Sequence, residues 1–187
     1  MFDTALTDIV IKNGRVVRVK TTAGEIPTDN LILATGHSAR EVFYMLRDRG
    51  IDMQAKPFSV GVRIEHLQSK IDEGLYHGLA GHPALPKGEY QLSDTSGKRG
   101  VYTFCMCPGG SVVAAASEEN TVVVNGMSRH ARDGANANSA LVVSVLPEDF
   151  GGDFAKAIEF QRKLERAAFM AGGKNYKAPC QTVGRFL

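Results

Sequence analysis

The residues best placed for chemistry follow a short apolar run in the sequence NLILATGHSARE, residues 30–41. Gly36 has no Cβ and Ala34 has a small side chain, so a ligand could approach the main chain closely. A helix predicted to begin near Ser38 would direct free N–H groups and its positive dipole end toward the same place. The pattern indicates a site for an anion such as a phosphate, whereas a tight strand-to-helix turn without a ligand explains the same residues. The candidate ligand contacts are Ala34, Thr35, Gly36, His37 and Ser38.

Two further groups of polar residues could contact a substrate. Arg63 lies on the polar face of the alternating sequence FSVGVRIEH, where its planar fork could anchor a carboxylate or simply pair with neighbouring side chains. The sequence NGMSRHARDG places Arg129 and His130 beside a strand end, where they could bind or protonate a substrate. A solvated loop is the simpler and favoured explanation of these two residues, because polar side chains normally lie at the surface. No residue is singled out as the catalytic acid or base.

The cysteine pair in FCMCPGG, residues 104–110, invites a metal or redox interpretation. On a strand, Cys105 and Cys107 would share a face, with their sulfurs too far apart for an easy disulfide. Structural zinc requires four ligands, and only Cys180 and scattered histidines could complete such a set. Free cysteine is also among the most readily buried residue types. The sequence therefore favours core packing for this pair and predicts no metal site.

The elements that position the first site begin with a predicted antiparallel meander over residues 7–33. Asn13-Gly14 lies between β-branched residues and predicts a type I′ hairpin turn, because both positions tolerate positive φ. A second turn at Ala23-Gly24 leads to a predicted strand at residues 31–33, which is apolar on both faces. That pattern is typical of a sheet covered on both sides.

A helix is predicted directly after the 34–38 segment. Ser38 can cap its N-terminus, Glu41 can complete a capping box, and Gly50 can end it. Its apolar residues are spaced for one buried face, and they are Val42, Tyr44, Met45 and Leu46.

The pattern changes from residue 56 to that of a mostly antiparallel sheet with a short helix, KIDEGLY, near its start. A long helix is predicted over residues 153–170, with Gly172-Gly173 as its stop. The predicted strands of this region lie in FSVGVRIEH, GVYTFCMC, SVVAAASE, TVVVNGMS and SALVVSV. Together with the meander, these elements predict an α+β fold.

Composition excludes several classes of function. Lys and Arg number 22 and Asp and Glu number 20, so the net charge of +2 provides no basic footprint for nucleic acid or for a membrane surface. The first residues lack a secretory signal, and the apolar runs are too short to cross a bilayer. Three cysteines are an odd count, which favours a reducing compartment and predicts a cytoplasmic protein.

The order NGRVVRVKTTAGEIPTDNLILATG resembles the late part of the flavin-binding domain in flavoproteins with two dinucleotide-binding domains. There, a small meander returns through an ATG strand whose glycine lies against the FAD. The following stretches AKPFSVGVRIEH, YTFCMCPGGSVVAAASEE and VVVNGMSRHARDGANANSALVVSV are similar to a narrower group. That group is the bacterial family of FAD-dependent, or NAD/FAD-utilising, dehydrogenases. The resemblance covers nearly the whole chain, and the second set of motifs is the more specific one.

The sequence departs from that family in lacking a phosphate-binding glycine motif. The Gly-x-Gly-x-x-Gly turn that holds the pyrophosphate of FAD occurs nowhere in the sequence. The resemblance therefore implies an internal part of a longer oxidoreductase, with residues 1–56 a partial FAD-domain segment and residues 57–175 an inserted substrate-side domain. Residues 176–187 would lead back to the missing FAD domain. We expect the intact enzyme to carry FAD and to act on a small-molecule substrate, with NAD(P)H as a candidate partner. We expect the 187 residues alone to be inactive and to retain no FAD.

A competing hypothesis belongs to another class of protein. The chain could be a self-contained domain that binds a small ligand or a partner protein and has no flavin. The two hypotheses differ in one feature of a longer gene product: the flavoprotein requires a Gly-x-Gly-x-x-Gly turn upstream, and the binding domain does not.

Overall fold

The computed structural model describes residues 1–186 and contains helices together with antiparallel sheets, which confirms the α+β fold class. The strands are β1 Leu6–Lys12, β2 Arg15–Thr21, β3 Gly24–Pro27, β4 Phe58–Leu67, β5 Ser93–Asp94, β6 Val101–Cys107, β7 Gly110–Ala115, β8 Val123–Ser128 and β9 Asn136–Val145. The helices are α1 Arg40–Asp48, α2 Gln68–Tyr76, α3 Pro147–Phe150, α4 Phe154–Ala171 and α5 Val183–Phe186.

The N-terminal meander forms from β1, β2 and β3 in antiparallel order, with its third strand at Gly24–Pro27 and not at the predicted residues 31–33. Asn13 and Gly14 have φ angles of 52° and 72°, so both central residues of the first turn have the positive φ of a type I′ hairpin. Ile9 pairs with Val19 across β1 and β2, and both side chains are buried. This pair gives the small sheet its apolar face.

The predicted strand at residues 31–33 does not form, and this prediction is wrong. No strand lies between Pro27 and the start of α1, and the last backbone bond of the meander runs from Thr28 N to Val17 O at 3.2 Å. Ile32 is 92% exposed, although the sequence predicted burial on both faces. The physical reason is that a strand needs a neighbour for its N–H and C=O groups, and no strand of residues 1–186 pairs with this segment.

Helix α1 begins two residues later than its predicted cap. Ala39 occupies the N-cap position and no side chain caps the helix, so the predicted Ser38–Glu41 capping box is wrong. The C-terminus follows the prediction, because Gly50 has φ of 74° and its N–H donates to Arg47 O at 2.8 Å. The N–H of Ile51 donates to Leu46 O at 3.1 Å, which completes a Schellman motif.

The larger sheet has the order β4-β9-β6-β5, with all neighbours antiparallel. Strand β9 runs along the full length of β4 and also along most of β6, so it is the central strand. The separate β7–β8 hairpin contacts this sheet around Gly126, where an added Cβ would lie 2.3 Å from Arg63 Nη1. The hairpin therefore covers the face of the sheet that carries Arg63.

Helices α3 and α4 cover part of the opposite face. Phe58 of β4 stacks on Phe150 with ring centroids 5.4 Å apart and contacts Phe160 at 6.0 Å. Helix α4 is the predicted long helix, and its N-cap Asp153 accepts hydrogen bonds from Ala155 N and Lys156 N. Its C-cap is Gly172, as predicted. Among the residues that the structure describes, none of the helices is long and apolar enough to cross a membrane.

Candidate functional site

The segment Ala34–Ser38, called the corner from here on, is an exposed bend between the meander and α1. Gly36 has φ of +74°, a conformation that side chains with a Cβ rarely adopt. An added Cβ at Gly36 would meet no atom within 4 Å, so no bulky side chain of residues 1–186 fills this bend. The geometry leaves the main chain of the corner open to a ligand.

One side chain of the corner is held in place by its neighbours. The His37 Nε2 atom lies 3.3 Å from Glu165 Oε1 and 3.3 Å from Arg40 Nη2. The His37 side chain is 53% exposed while that of Glu165 is 7% exposed, so the ring lies between a buried ion pair and solvent. His37 is therefore fixed at one nitrogen and accessible elsewhere.

Arg40, the first residue of α1, is buried although arginine is rarely found fully inside a protein. Its Nη2 donates to Glu165 Oε1 at 2.6 Å, and its Nη1 donates to Glu118 Oε2 at 3.1 Å. The two carboxylates belong to α4 and to the segment after β7, so Arg40 connects α1 to both. Arg40 Nε and Glu165 Oε2 are buried with no hydrogen-bond partner among residues 1–186.

Arg162 completes this group, and we call Arg40, Glu118, Arg162 and Glu165 the charge cluster. Arg162 donates to both oxygens of Glu118, from Nε at 2.8 Å and from Nη2 at 2.6 Å. The hydrogen bonds from Arg162 lower the pKa of Glu118 to about 2, and the bonds from Glu118 raise the pKa of Arg162. Tyr44 adds a contact from α1, with its hydroxyl 3.3 Å from Arg162 Nη1.

Arg63, a predicted substrate contact, lies apart from the corner, and its guanidinium is hydrogen-bonded to other residues of the chain. Its Nη1 donates to Asn138 Oδ1 at 2.6 Å and to Cys105 O at 3.1 Å. Its Nη2 donates to Asn125 Oδ1 at 3.3 Å, from β8. In this arrangement the guanidinium ties β4 to β6, β8 and β9, so a substrate carboxylate would have to replace one of these partners.

The sequence predicted that Cys105 and Cys107 share one face of a regular strand, and the structure shows that they do not. The register of β6 on β9 shifts between Phe104 and Cys107, and Cys105 has φ of 49°. Cys105 is exposed, so its predicted packing in the core is wrong, because the bulge turns it outward. Burial raises the pKa of the half-buried Cys107 thiol. Residues 1–186 contain no group of three or more potential metal ligands.

Arg129 and His130 lie in the exposed loop between β8 and β9. Arg129 Nε is 3.3 Å from Asp133 Oδ1, and both side chains are largely exposed. Within residues 1–186, no hydrogen bond or ion pair joins Arg129 or His130 to Arg63 or to the corner. The structure thus does not bring the predicted substrate contacts together through direct contacts.

A groove of about 470 Å³ lies between the segment 89–91 and residues 103–106 of β6. Phe104 is 64% exposed there, and the outward-facing Cys105 bulge forms part of the same wall. The hydrogen bond from Arg63 to the Cys105 carbonyl holds that bulge from behind.

Sequence reasoning missed the charge cluster. Arg40 and Glu165 are 125 positions apart, and Arg40 and Glu118 are 78 apart. Each residue alone resembles an ordinary charged residue of a helix or loop, so no local pattern marks it. Only the packing of α4 against α1 reveals the cluster.

Comparisons with known proteins bear on this site. The family model described as "FAD-dependent protein, C-terminal domain-like" matches residues 57–187. An uncharacterized protein of Clostridium beijerinckii (strain ATCC 51743 / NCIMB 8052) is 50% identical over 189 residues, covering 100% of this chain and 36% of that protein. The chain thus spans about a third of the length of this relative.

Proposed function

Because the chain belongs to the family of FAD-dependent proteins that share this C-terminal domain, we propose that it is part of an FAD-dependent oxidoreductase. In this proposal the region of residues 57–175 is the substrate-side domain, and residues 1–56 supply one side of the flavin site. Residues 176–187 lead back toward the rest of the flavin domain. The intact protein would act on a small-molecule substrate, with NAD(P)H as a candidate electron donor.

The observation that carries the proposal is the open corner. A nucleotide lying against a main chain needs a stretch free of side-chain obstruction, and Gly36 meets that need with positive φ and no atom within 4 Å of an added Cβ. Ala34, Thr35, His37 and Ser38 are exposed around it. These residues fit one side of a bound FAD, which would supply the hydride or electron transfer while the protein provides orientation and electrostatics.

The remainder of the FAD site would come from a longer polypeptide. The 187 residues contain no Gly-x-Gly-x-x-Gly turn to hold a pyrophosphate, and they span 36% of the relative's length. Ile32 and Leu33 next to the corner are 92% and 41% exposed. An apolar segment with an unpaired backbone fits a strand that is completed by the missing part of the flavin domain.

The substrate would bind on the larger sheet. The groove beside the Cys105 bulge has room for a small molecule, at about 470 Å³. Arg63 would not contact the substrate but would stabilise the bulge that lines the groove, through its hydrogen bond to the Cys105 carbonyl at 3.1 Å. Arg129 and His130 are exposed in the β8–β9 loop and remain candidates for a direct substrate contact.

The test is the absorption spectrum of the purified full-length gene product. We expect the bound flavin to give a yellow protein, and we expect this chain expressed alone to be colourless, since it lacks the pyrophosphate turn. A full-length protein that is colourless, and that stays so after incubation with FAD, would contradict the proposal. That result would favour a self-contained binding domain, with the groove as its ligand site.

A further inference from the structure

We propose that the buried Arg40–Glu165 ion pair positions His37 so that Nδ1 is the ring atom presented to the bound nucleotide. This inference rests on the proposed FAD site at the corner. It goes further by assigning positioning roles to Arg40 and Glu165 and a defined hydrogen-bonding role to His37. The three residues lie on the corner, on α1 and on α4, and they meet at one imidazole nitrogen.

The geometry fixes Nε2 as the engaged atom of His37. Nε2 lies 3.3 Å from a carboxylate oxygen of Glu165 and 3.3 Å from Nη2 of Arg40. A neutral imidazole nitrogen either donates or accepts, so Nε2 can satisfy only one of these two partners at a time. The ring is held in either case, and Nδ1 is the nitrogen without a partner among residues 1–186.

The carboxylate is the partner with more unmet capacity. An ionised carboxylate accepts about four hydrogen bonds, whereas Glu165 receives one from Arg40 and its Oε2 has no partner in the described chain. Arg40 Nη2 donates one of its two N–H groups to Glu165 at 2.6 Å and has a single N–H left, fewer than the sites still open on the carboxylate. Nε2 of His37 therefore carries the ring hydrogen and donates a hydrogen bond to Glu165, as histidines oriented by a carboxylate commonly do.

This tautomer defines what His37 can recognise. With Nε2–H directed at Glu165, Nδ1 presents a lone pair and accepts a hydrogen bond. The matching groups on a flavin nucleotide are donors, such as the hydroxyls of its sugar chain or a ring N–H, and not the phosphate oxygens. We therefore expect His37 to accept a hydrogen bond from the sugar or ring portion of the ligand. The side chain is 53% exposed, so a ligand can reach it.

The positioning pair is itself held from two further sides. Arg40 also donates a hydrogen bond to Glu118, and Arg162 of α4 donates two hydrogen bonds to the same carboxylate. The charged groups facing His37 are Arg40 from α1 and Glu165 from α4, with Glu118 and Arg162 behind them. The charge cluster contains two positive and two negative groups, so its net charge is zero while His37 is neutral.

The first experiment is a ¹⁵N NMR measurement of the His37 imidazole in this 187-residue chain. We expect the Nε2–H tautomer to dominate at alkaline pH, where the imidazole is neutral, and we expect Glu165→Gln to change the tautomer ratio. Glu159→Gln is the control on the same helix, because Glu159 is exposed and, within residues 1–186, forms ion pairs with Arg162 and Arg166 but none with His37 or Arg40. A dominant Nδ1–H tautomer in the unmutated chain would overturn the proposal. So would an identical His37 signature in a folded Glu165→Gln chain.

The second experiment measures FAD affinity in the full-length protein with His37→Ala, whose exposed side chain should be removable without unfolding. We expect the Kd for FAD to rise about tenfold, the usual scale for one lost hydrogen bond of this kind. An unchanged Kd in a protein that does bind FAD would refute the role of His37. If the unmutated full-length protein binds no FAD, the proposed function fails, whereas the NMR result decides the positioning role separately.

Discussion

At the residue scale, the burial of Arg40 carries a large desolvation cost, which explains the charge cluster around it. Removing a guanidinium from water is unfavourable by several kcal/mol unless charged partners and hydrogen bonds replace the lost hydration. Arg40 has two carboxylate partners, Glu165 at 2.6 Å and Glu118 at 3.1 Å. Removal of either carboxylate would leave a buried charge only half compensated, so both partners are needed for the position of α1.

Glu118→Gln should destabilise the chain at neutral pH and not at low pH. The pKa of Glu118 is lowered from 4.5 to about 2, chiefly by its hydrogen bonds from Arg162. Its carboxylate therefore stabilises the fold fully above pH 4.5, and this contribution is lost as the pH falls toward 2. We expect the variant to lose on the order of 1–3 kcal/mol at pH 7, and the two unfolding free energies to converge on acidification. Urea unfolding across this pH range measures both quantities.

Glu119→Gln is the matched control for that prediction. Glu119 is the next residue, is exposed, and makes no side-chain hydrogen bond or ion pair within residues 1–186. Its variant should follow the unmutated chain at every pH. A constant difference between the Glu118→Gln and unmutated chains down to pH 2 would show that the stability of the cluster does not depend on this carboxylate.

How much of each residue's role the sequence can predict depends on the range of its interactions. Gly50 was predicted correctly as the end of α1, since a Schellman motif involves only neighbouring residues. The corner was predicted from its own residue types, and it is open in the structure. Glu165 could not be predicted as a partner of His37, because the two are 128 positions apart and meet only after α4 packs. The assignment of Cys105 to the core failed because a bulge reverses the direction of its side chain.

At the element scale, the five strands predicted after residue 56 formed close to where the sequence placed them. Strand β4 alternates strictly and pairs with β9 in unbroken register from Phe58 to Leu67. The segment 31–33 has an equally apolar pattern but forms no strand, because pairing needs a second strand and apolarity alone cannot provide one. Pattern therefore predicts the tendency to pair, while topology decides whether pairing occurs.

The turn between β6 and β7 should be among the least tolerant elements to substitution. Gly109 donates to the buried Gln68 Oε1 at 2.8 Å and has φ of +54°, and an added Cβ would lie 1.9 Å from Arg132 O. Since that oxygen belongs to the backbone, relief requires the β8–β9 loop to move. We expect Gly109→Ala to lower the free energy of unfolding by about 1–3 kcal/mol, as measured by thermal or urea unfolding.

Gly74→Ala provides the opposite case in the same region. Gly74 lies inside α2, its added Cβ would meet no atom within 4 Å, and alanine favours a helix interior. We expect Gly74→Ala to raise the free energy of unfolding by about 0.5–1 kcal/mol. If Gly109→Ala were as stable as the unmutated chain, the close packing of Gly109 between Gln68 and Arg132 would not be rigid.

At the scale of the whole molecule, the proposed place of this chain in a longer flavoprotein would account for the uneven cover of its apolar surface. The face of β4 opposite Arg63 is covered by Phe150 and Phe160 at one end, but Val62 near its middle is 44% exposed. The segment beside the corner is more exposed still, with Ile32 at 92%. The relative from Clostridium beijerinckii extends well beyond the aligned region, which covers 36% of its length. In the proposed flavoprotein, additional chain of that size would cover both surfaces.

Ile32→Ser tests this arrangement by comparing this chain with the full-length protein. In the 187-residue chain the side chain is already 92% exposed, so the free energy of unfolding should change by less than about 0.5 kcal/mol. In the full-length protein, a strand at residues 31–33 would bury Ile32, and its loss should cost about 1.5–3 kcal/mol and reduce FAD retention. Ile32→Val is the control, because it keeps the β-branched apolar surface and should cost about 1 kcal/mol in the full-length protein. Equal, negligible effects of Ile32→Ser in both proteins would mean that the segment stays exposed and that no further strand is added beside the corner.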